Sequence, residues 1–246
     1  NKDGETPVYM AADNGHVDTV KALCSLGADF DTPTKDGETP VFIAAHGGHV
    51  DAIKALFALG ADVDPPTKDG ETPVFIAAHG GHVDAIKALF ALGADVDTPN
   101  KDGETPVYMA AGNGHVDAIK ALCGLGADID TPTNDGATPV FIAANNGHAD
   151  AIEALCALGA DINTPNNDGA TPVFIAAQNG HLDAVKALCA LGADINTPNN
   201  DGETPVYMAT QNGHVDAVKA LCSLGADFDT PDKYGYTPVF IAAQNG

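Results

Sequence analysis

An all-α solenoid with short β-hairpin fingers is the architecture this sequence predicts, and three observations predict it. Thr-Pro-Val begins at Thr6, Thr39, Thr72, Thr105, Thr138, Thr171, Thr204 and Thr237, 33 residues apart each time. Each Thr-Pro opens a short apolar run. A Gly-His pair and a second apolar run then follow, in seven of the eight cases. A fixed period of this size marks stacked supersecondary units that cannot bury their apolar faces alone. Residues 1–246 therefore read as a single array of seven full repeats and part of an eighth, rather than as separate globular domains. Units that touch only their neighbours form no deep pocket between distant segments, which argues against an enzyme.

Within the first repeat, Thr6 reads as an N-cap. Pro7 is the first helical residue, where its missing N–H costs nothing. A first helix is expected over Val8 to Asp13, broken by Asn14-Gly15-His16. A second is expected from Val17 to Leu26, with Val17, Val20, Leu23 and Cys24 on one face. Gly27 stands in the place of a C-cap glycine. Phe30 alternates with Asp29 and Asp31 like a half-buried strand, and Asp36-Gly37 forms the turn of a hairpin-like finger. Neither helix is long enough to be stable alone, so stacking must bury both. Leu23, Leu56, Leu89, Leu122, Leu155, Leu188 and Leu221 form one apolar column, Leu26 heads a second, and Ala28 a third. At the ends of the array, Tyr9, Val20, Leu23, Leu224 and Ile241 are expected to be partly bare.

Thr39-Pro40-Val41-Phe42-Ile43-Ala44-Ala45, Gly48-His49 and Gly60-Ala61-Asp62-Val63-Asp64 resemble the ankyrin repeat, and the resemblance recurs along the entire chain. It implies an ankyrin-repeat stack of helix pairs with projecting fingers, a concave face that binds proteins, and no catalytic residues. Three departures stand out. An aromatic replaces the family's histidine after Thr-Pro at Tyr9, Phe42, Phe75, Tyr108, Phe141, Phe174, Tyr207 and Phe240. A proline stiffens each finger from Pro33 to Pro231. Neither end has the look of a cap, which suggests a segment of a longer chain.

The resemblance places partner contacts on the fingers and first helices. The candidates are Lys2, Glu5, Asp13, Asn14, Lys35, Glu38, His46, Lys68, Glu71, His79, Lys101, Glu104, Asn134, Asn145, Asn167, Gln178, Asn200 and Gln211. Asp31, Asp64, Asp97 and Asp130 rank with the finger glutamates as the freest charges. His46 and His79 stand where other repeats carry Asp13, Gly112, Asn145 or Gln178, and a ligand contact suits them better than a shared metal. The Gly-His histidines, one per repeat, do not converge on an ion. No Asp or Asn series follows a calcium-loop pattern, and no nucleophile has a base in register. No metal or cofactor is expected.

Variation between repeats is small. Residues 34–66 and 67–99 differ only at Pro65 and Thr98. Changes gather in the fifth and sixth repeats: Lys to Asn134, Asn167 and Asn200, Glu to Ala137 and Ala170, Asp to Asn163 and Asn196. Drift after duplication and a dedicated contact both account for them. Cys24, Cys123, Cys156, Cys189 and Cys222 share one register on the second helix with Phe57 and Phe90. They read as free buried thiols of an intracellular protein, in a reducing compartment such as the cytoplasm. No apolar run is long enough to span a membrane.

With 34 acidic residues against 11 lysines, the formal net charge is −23. Such a chain repels nucleic acid and anionic membranes and steers in a basic partner. Asp18 and its equivalents suit the start of the second helix and can pair with Lys21 three residues on. The function expected is a non-enzymatic interaction scaffold for a protein partner. The alternatives are a structural solenoid assembling end to end and a regulatory segment of a larger protein. Self-repulsion at this charge weakens with screening, so the urea midpoint should rise from low to moderate NaCl. A flat or falling response would show that the carboxylates are neutralised internally.

Overall fold

The computed structural model describes residues 2–245, with the side chain of Asn245 left aside. It contains fifteen helices and no strand among the described residues. Thr-Pro starts the first helix of each pair: α1 (Pro7–Asp13), α3 (Pro40–His46), α5 (Pro73–His79), α7 (Pro106–Gly112), α9 (Pro139–Asn145), α11 (Pro172–Asn179), α13 (Pro205–Gln211) and α15 (Pro238–Asn245). The second helices are α2 (Val17–Ser25), α4 (Val50–Ala58), α6 (Val83–Ala91), α8 (Val116–Gly124), α10 (Ala149–Ala157), α12 (Leu182–Ala190) and α14 (Val215–Ser223).

The first helices begin as the sequence requires. Each Thr Oγ1 accepts a hydrogen bond from the backbone N–H three residues on, as in Tyr9 N to Thr6 (3.1 Å) and Phe141 N to Thr138 (3.3 Å). Most of these threonines are buried, and Thr138 has no exposed surface, so its cap has no competing water. The second helices start differently. His16, His49, His82, His148, His181 and His214 occupy the N-cap, but no side chain closes the bond there.

Packing divides the chain into two compact units, residues 1–110 with 117–128 and residues 111–116 with 129–246. In the first unit, α1, α3 and α5 pack in series, each against its own second helix, and α2, α4 and α6 pack in a second row. In the second unit, α9, α11, α13 and α15 form one row and α10, α12 and α14 the other. The core faces are built from alanine and one large residue per turn: Ala52, Ile53 and Leu56 in α4, and Ala151, Ile152 and Leu155 in α10. Small residues let the short helices approach closely, and Leu or Ile fills the remaining volume.

Three expectations are corrected. The fingers are not β-hairpins. Asp29 Oδ1 accepts from Asp31 N at 2.9 Å and Oδ2 from Thr32 Oγ1 at 2.9 Å, which bends the chain where alternation suggested a strand. The same Asx turn recurs at Asp62, Asp95, Asp161, Asp194 and Asp227. A side chain that captures the N–H two residues on competes with a strand ladder, and the following proline has no N–H to donate. Second, the Leu26 column is not core. Leu26, Leu59, Leu158, Leu191 and Leu224 are exposed, because they follow the last helical turn rather than lie on its packed face. The cysteine slot is likewise a rim position: four cysteines are half-buried, Cys222, Phe57 and Phe90 are exposed, and the thiols are free. Third, Tyr9, Val20 and Ile241 are buried. Leu224 is bare as expected, together with Val239 and Phe240, and Leu23 is half-buried.

The buried cap should be worth a measurable amount. Thr138→Ala removes one acceptor from a dry helix start and is expected to cost about 1 kcal/mol in urea unfolding. An unchanged midpoint would show that the cap is replaced by another partner.

Candidate protein-binding surface

The finger loops are organised by one side-chain oxygen each. Thr34 Oγ1 accepts from Glu38 N at 3.2 Å, Thr67 from Glu71 N at 3.2 Å and Thr133 from Ala137 N at 3.1 Å. At the equivalent place Asn100, Asn166 and Asn199 accept two N–H bonds through Oδ1, for example Asp102 N (3.0 Å) and Glu104 N (2.9 Å) at Asn100. Asp232 accepts from Tyr234 N and Tyr236 N in the same way, and from Tyr207 Oη at 2.9 Å. Burial opposes its charge, but these donors win and hold the carboxyl below the usual range. The loop needs an acceptor at this position and tolerates any side chain that supplies one.

Neighbouring fingers are joined by two kinds of rung. The backbone N–H of Lys35 donates to Asp3 O, Lys68 N to Asp36 O and Asn200 N to Asp168 O, at 2.8 to 3.0 Å. A second rung runs through the residues read as the freest charges. Asp64 Oδ2 accepts from Asp95 N at 3.0 Å, Asp97 Oδ1 from Asp128 N at 2.9 Å and Asp130 Oδ1 from Asp161 N at 3.0 Å. Asn163 and Asn196 make the same bond to Asp194 N and Asp227 N. That reading is therefore corrected: these carboxylates fasten one repeat to the next. The Asp to Asn changes keep the acceptor and drop the charge. Oδ1 of Asp31 and of Asp64 is buried without a partner.

The candidate contact residues fall into two groups. The side chains of Lys2, Lys35, Lys68, Lys101, Asn14, His46, His79, Asn134, Asn167, Asn200 and Gln211 are exposed on the fingertips and at the ends of the first helices. Glu5, Asp13, Glu38, Glu71, Glu104, Asn145 and Gln178 are half-buried, and several have structural bonds. Tyr9 Oη donates to Glu38 Oε2 at 2.7 Å, and Asn100 Nδ2 donates to Glu104 Oε2 at 2.7 Å. Asn145 accepts from Asn179 Nδ2, and the Gln178 carbonyl accepts from Asn212 Nδ2 at 2.8 Å. Asn167 Nδ2 donates to Asn134 O and Asn200 Nδ2 to Asn167 O, both at 3.0 Å. The asparagines at these fingertips thus join each finger to the main chain of the one before.

The Gly-His turns are a further rung. His49 Nε2 lies 2.9 Å from Asp13 O and His214 Nε2 3.0 Å from Gln178 O. A carbonyl can only accept, so Nε2 carries the proton. A glycine is required beneath the ring: Gly48 has φ +69°, and a Cβ there would stand 2.7 Å from His82 Nδ1. Among the described residues no group of three or more His, Cys, Asp or Glu is placed to hold a metal ion. No helix among them is long and apolar enough to cross a membrane. Of the Asp–Lys pairs expected on the second helices, only Asp216–Lys219 closes within 4 Å among the described residues, at 3.8 Å, and both side chains are well exposed. Sequence reasoning missed the Tyr–carboxylate bonds and the bonds that Asn146, Asn179 and Asn212 make to the preceding first helix. A tyrosine in a column otherwise filled by phenylalanine was the available signal for the first.

The family model described as ankyrin repeats (3 copies) matches residues 1–67, 59–133, 125–199 and 191–246. The chain belongs to the ankyrin repeat family. It is also similar in structure to the human ASB11 ankyrin repeat domain, with a TM-score of 0.82 and 25% identity over 90% of this chain and 99% of that one. No curated protein matches it significantly. Ankyrin repeats are in general protein–protein interaction modules and are typically non-enzymatic.

The carboxylate rungs carry a cost in charge. Burial first, then neighbouring carboxylates, push Asp64 above the ordinary range, and the same holds for Asp31 and Asp97. A raised folded pKa means that the folded chain holds the proton more tightly. The associated stability is full below the unfolded carboxyl value of about 4 and is lost as pH rises through the folded value. Asp64→Asn keeps an acceptor for Asp95 N, as Asn163 does for Asp194 N. It is expected to raise the midpoint of urea unfolding at pH 7, by a gain in unfolding free energy of about 1 kcal/mol or less, with the gain shrinking toward pH 4. Equal midpoints at pH 7, or a lower one in the variant, would refute this.

Proposed function

We propose that this ankyrin repeat chain is a non-enzymatic interaction module that receives a protein partner on its finger loops and first-helix ends. The observation that carries the reading is the distribution of exposed variety. His46 and His79, then Asn134, Asn167 and Asn200, and then Gln211 distinguish successive groups of repeats on that side. The second helices repeat Asp-Ala-Ile-Lys or Asp-Ala-Val-Lys from α4 to α14, except that α10 carries Glu153 in place of the lysine. A non-periodic partner needs a non-periodic surface, and the first-helix side supplies it. The net charge of −23 favours a basic partner over nucleic acid or an anionic membrane.

The two faces can be tested against each other. A photo-crosslinking residue at His79, near the end of α5, should give a defined adduct that excess unlabelled chain competes away. The same group at Lys87 on α6 should give little. An adduct as strong at Lys87 as at His79 would place the partner on the second helices and overturn the reading.

A further inference from the structure

In the unit containing residues 129–246, one stretch of this surface is cut differently. Glu5, Glu38, Glu71, Glu104 and Glu203 precede the Thr-Pro of their repeats, but Ala137 and Ala170 replace glutamate in two. The consequence is clear beside Asn166. Asn100 and Asn199 bond their own loop N–H groups through Oδ1 and donate Nδ2 to Glu104 Oε2 (2.7 Å) and Glu203 Oε2 (2.8 Å). Asn166 keeps the Oδ1 bonds, to Asp168 N (3.1 Å) and Ala170 N (2.9 Å), but Ala170 offers its Nδ2 no carboxylate. Where the glutamate would lie is a groove of ≈ 340 Å³. Phe174, Ile175 and Ala170 line its apolar part, and Asp168 and Asp201, with Asn166, Gln178 and Asn199, its polar part.

Of the two carboxylates that line this groove, Asp168 and Asp201, one has a cation. Lys233 on the next finger reaches Asp201 Oδ1 at 2.6 Å. The residue equivalent to Lys233 for Asp168 is Asn200, and its Nδ2 bonds the Asn167 carbonyl instead. The Asp168 carboxylate is left with neither cation nor hydrogen-bond donor. Between residues 129 and 210 the only lysine is Lys186, on α12 among the second helices. The groove therefore combines an unmatched carboxylate, an amide donor lacking its acceptor, and an apolar wall suited to a methylene stem.

We infer that this groove is a slot for a lysine or arginine side chain of a basic protein segment. The cationic head sits on Asp168, the stem lies along Ala170 and Ile175, and a main-chain carbonyl of the segment accepts from Asn166 Nδ2. This rests on the reading of the finger side as the binding surface and adds the place and the chemistry. The Lys233–Asp201 pair shows the same contact made within the chain. A carbonyl acceptor distinguishes a peptide from a simple polyamine, which could satisfy Asp168 alone.

The probe is an N-acetylated, C-amidated tetralysine peptide, titrated into the full chain and followed by amide and side-chain NH₂ resonances, with spermine as the comparison. The peptide should shift Asn166, Gln178 and Asn199, and Asp168→Asn should weaken its binding about fivefold. Ala170→Glu is the decisive variant. It adds a carboxylate to an already acidic protein, yet closes the slot and gives Asn166 the partner that Asn100 and Asn199 already have. It should keep the fold and weaken the peptide by a similar factor. Equal or tighter peptide binding by Ala170→Glu would show diffuse charge attraction and overturn the slot. So would the absence of any shift at Asn166 and Gln178 on adding peptide, or equal affinity for spermine at the same residues. Shifts confined to α10, α12 and α14 would sink the finger-side reading as well, whereas loss of the slot with shifts elsewhere on the fingers would leave it standing.

Discussion

A helix of seven to nine residues does not hold itself together in water, and every helix among the described residues is of that length. Stability has to come from the faces that neighbouring helix pairs turn to each other. That is why alanine is so frequent at the packed positions and why one Leu, Ile or Val per turn recurs beside it: Ile53 and Leu56, Ile86 and Leu89, Val185 and Leu188 are all fully buried. Removing any one large residue leaves a cavity that short, tightly spaced helices cannot collapse to fill, at a cost of about 2–5 kcal/mol for Leu→Ala. The residues outside these faces are then free to vary, provided that they meet local hydrogen-bonding demands.

Those demands explain much of the variation that does occur. Thr, Asn and Asp alternate at the loop position because each supplies an oxygen to the same N–H. Asp and Asn alternate at the rung position for the same reason. Lys and Asn alternate at the fingertip, where Asn167 and Asn200 bond a main-chain carbonyl of the previous finger and Lys233 bonds a carboxylate there. Changes at the loop and rung positions that look like drift in the linear sequence are exchanges between side chains that accept the same N–H bond. The Glu to Ala change at Ala170 is different, since it leaves the Asn166 Nδ2 group without the carboxylate found at Asn100 and Asn199.

The acidity of the chain has two origins. Some carboxylates do structural work in turns and rungs, and burial raises several of them, so they are held at a cost near neutral pH. Others, such as Asp168, stand at the surface with no bond of their own. Only the second kind is available to a partner, and the two are indistinguishable by residue type.

The helix pairs, their Thr caps, the Gly-His turns and the ankyrin family were legible in the sequence, because each depends on local chemistry repeated at a fixed interval. Proline and threonine declare a helix start without reference to anything distant. The alternating Asp-Phe-Asp was misread as a strand, since alternation alone does not reveal that Asp29 bonds the N–H of Asp31. Burial of Val20 and exposure of Leu26 also escaped, because the register at which a short helix meets its neighbour decides both. Above all, the sequence could not say which carboxylates were bonded. Asp64 meets Asp95 N, and Tyr9 meets Glu38, only when residues about thirty positions apart are brought side by side by stacking, and that is a property of the tertiary structure alone.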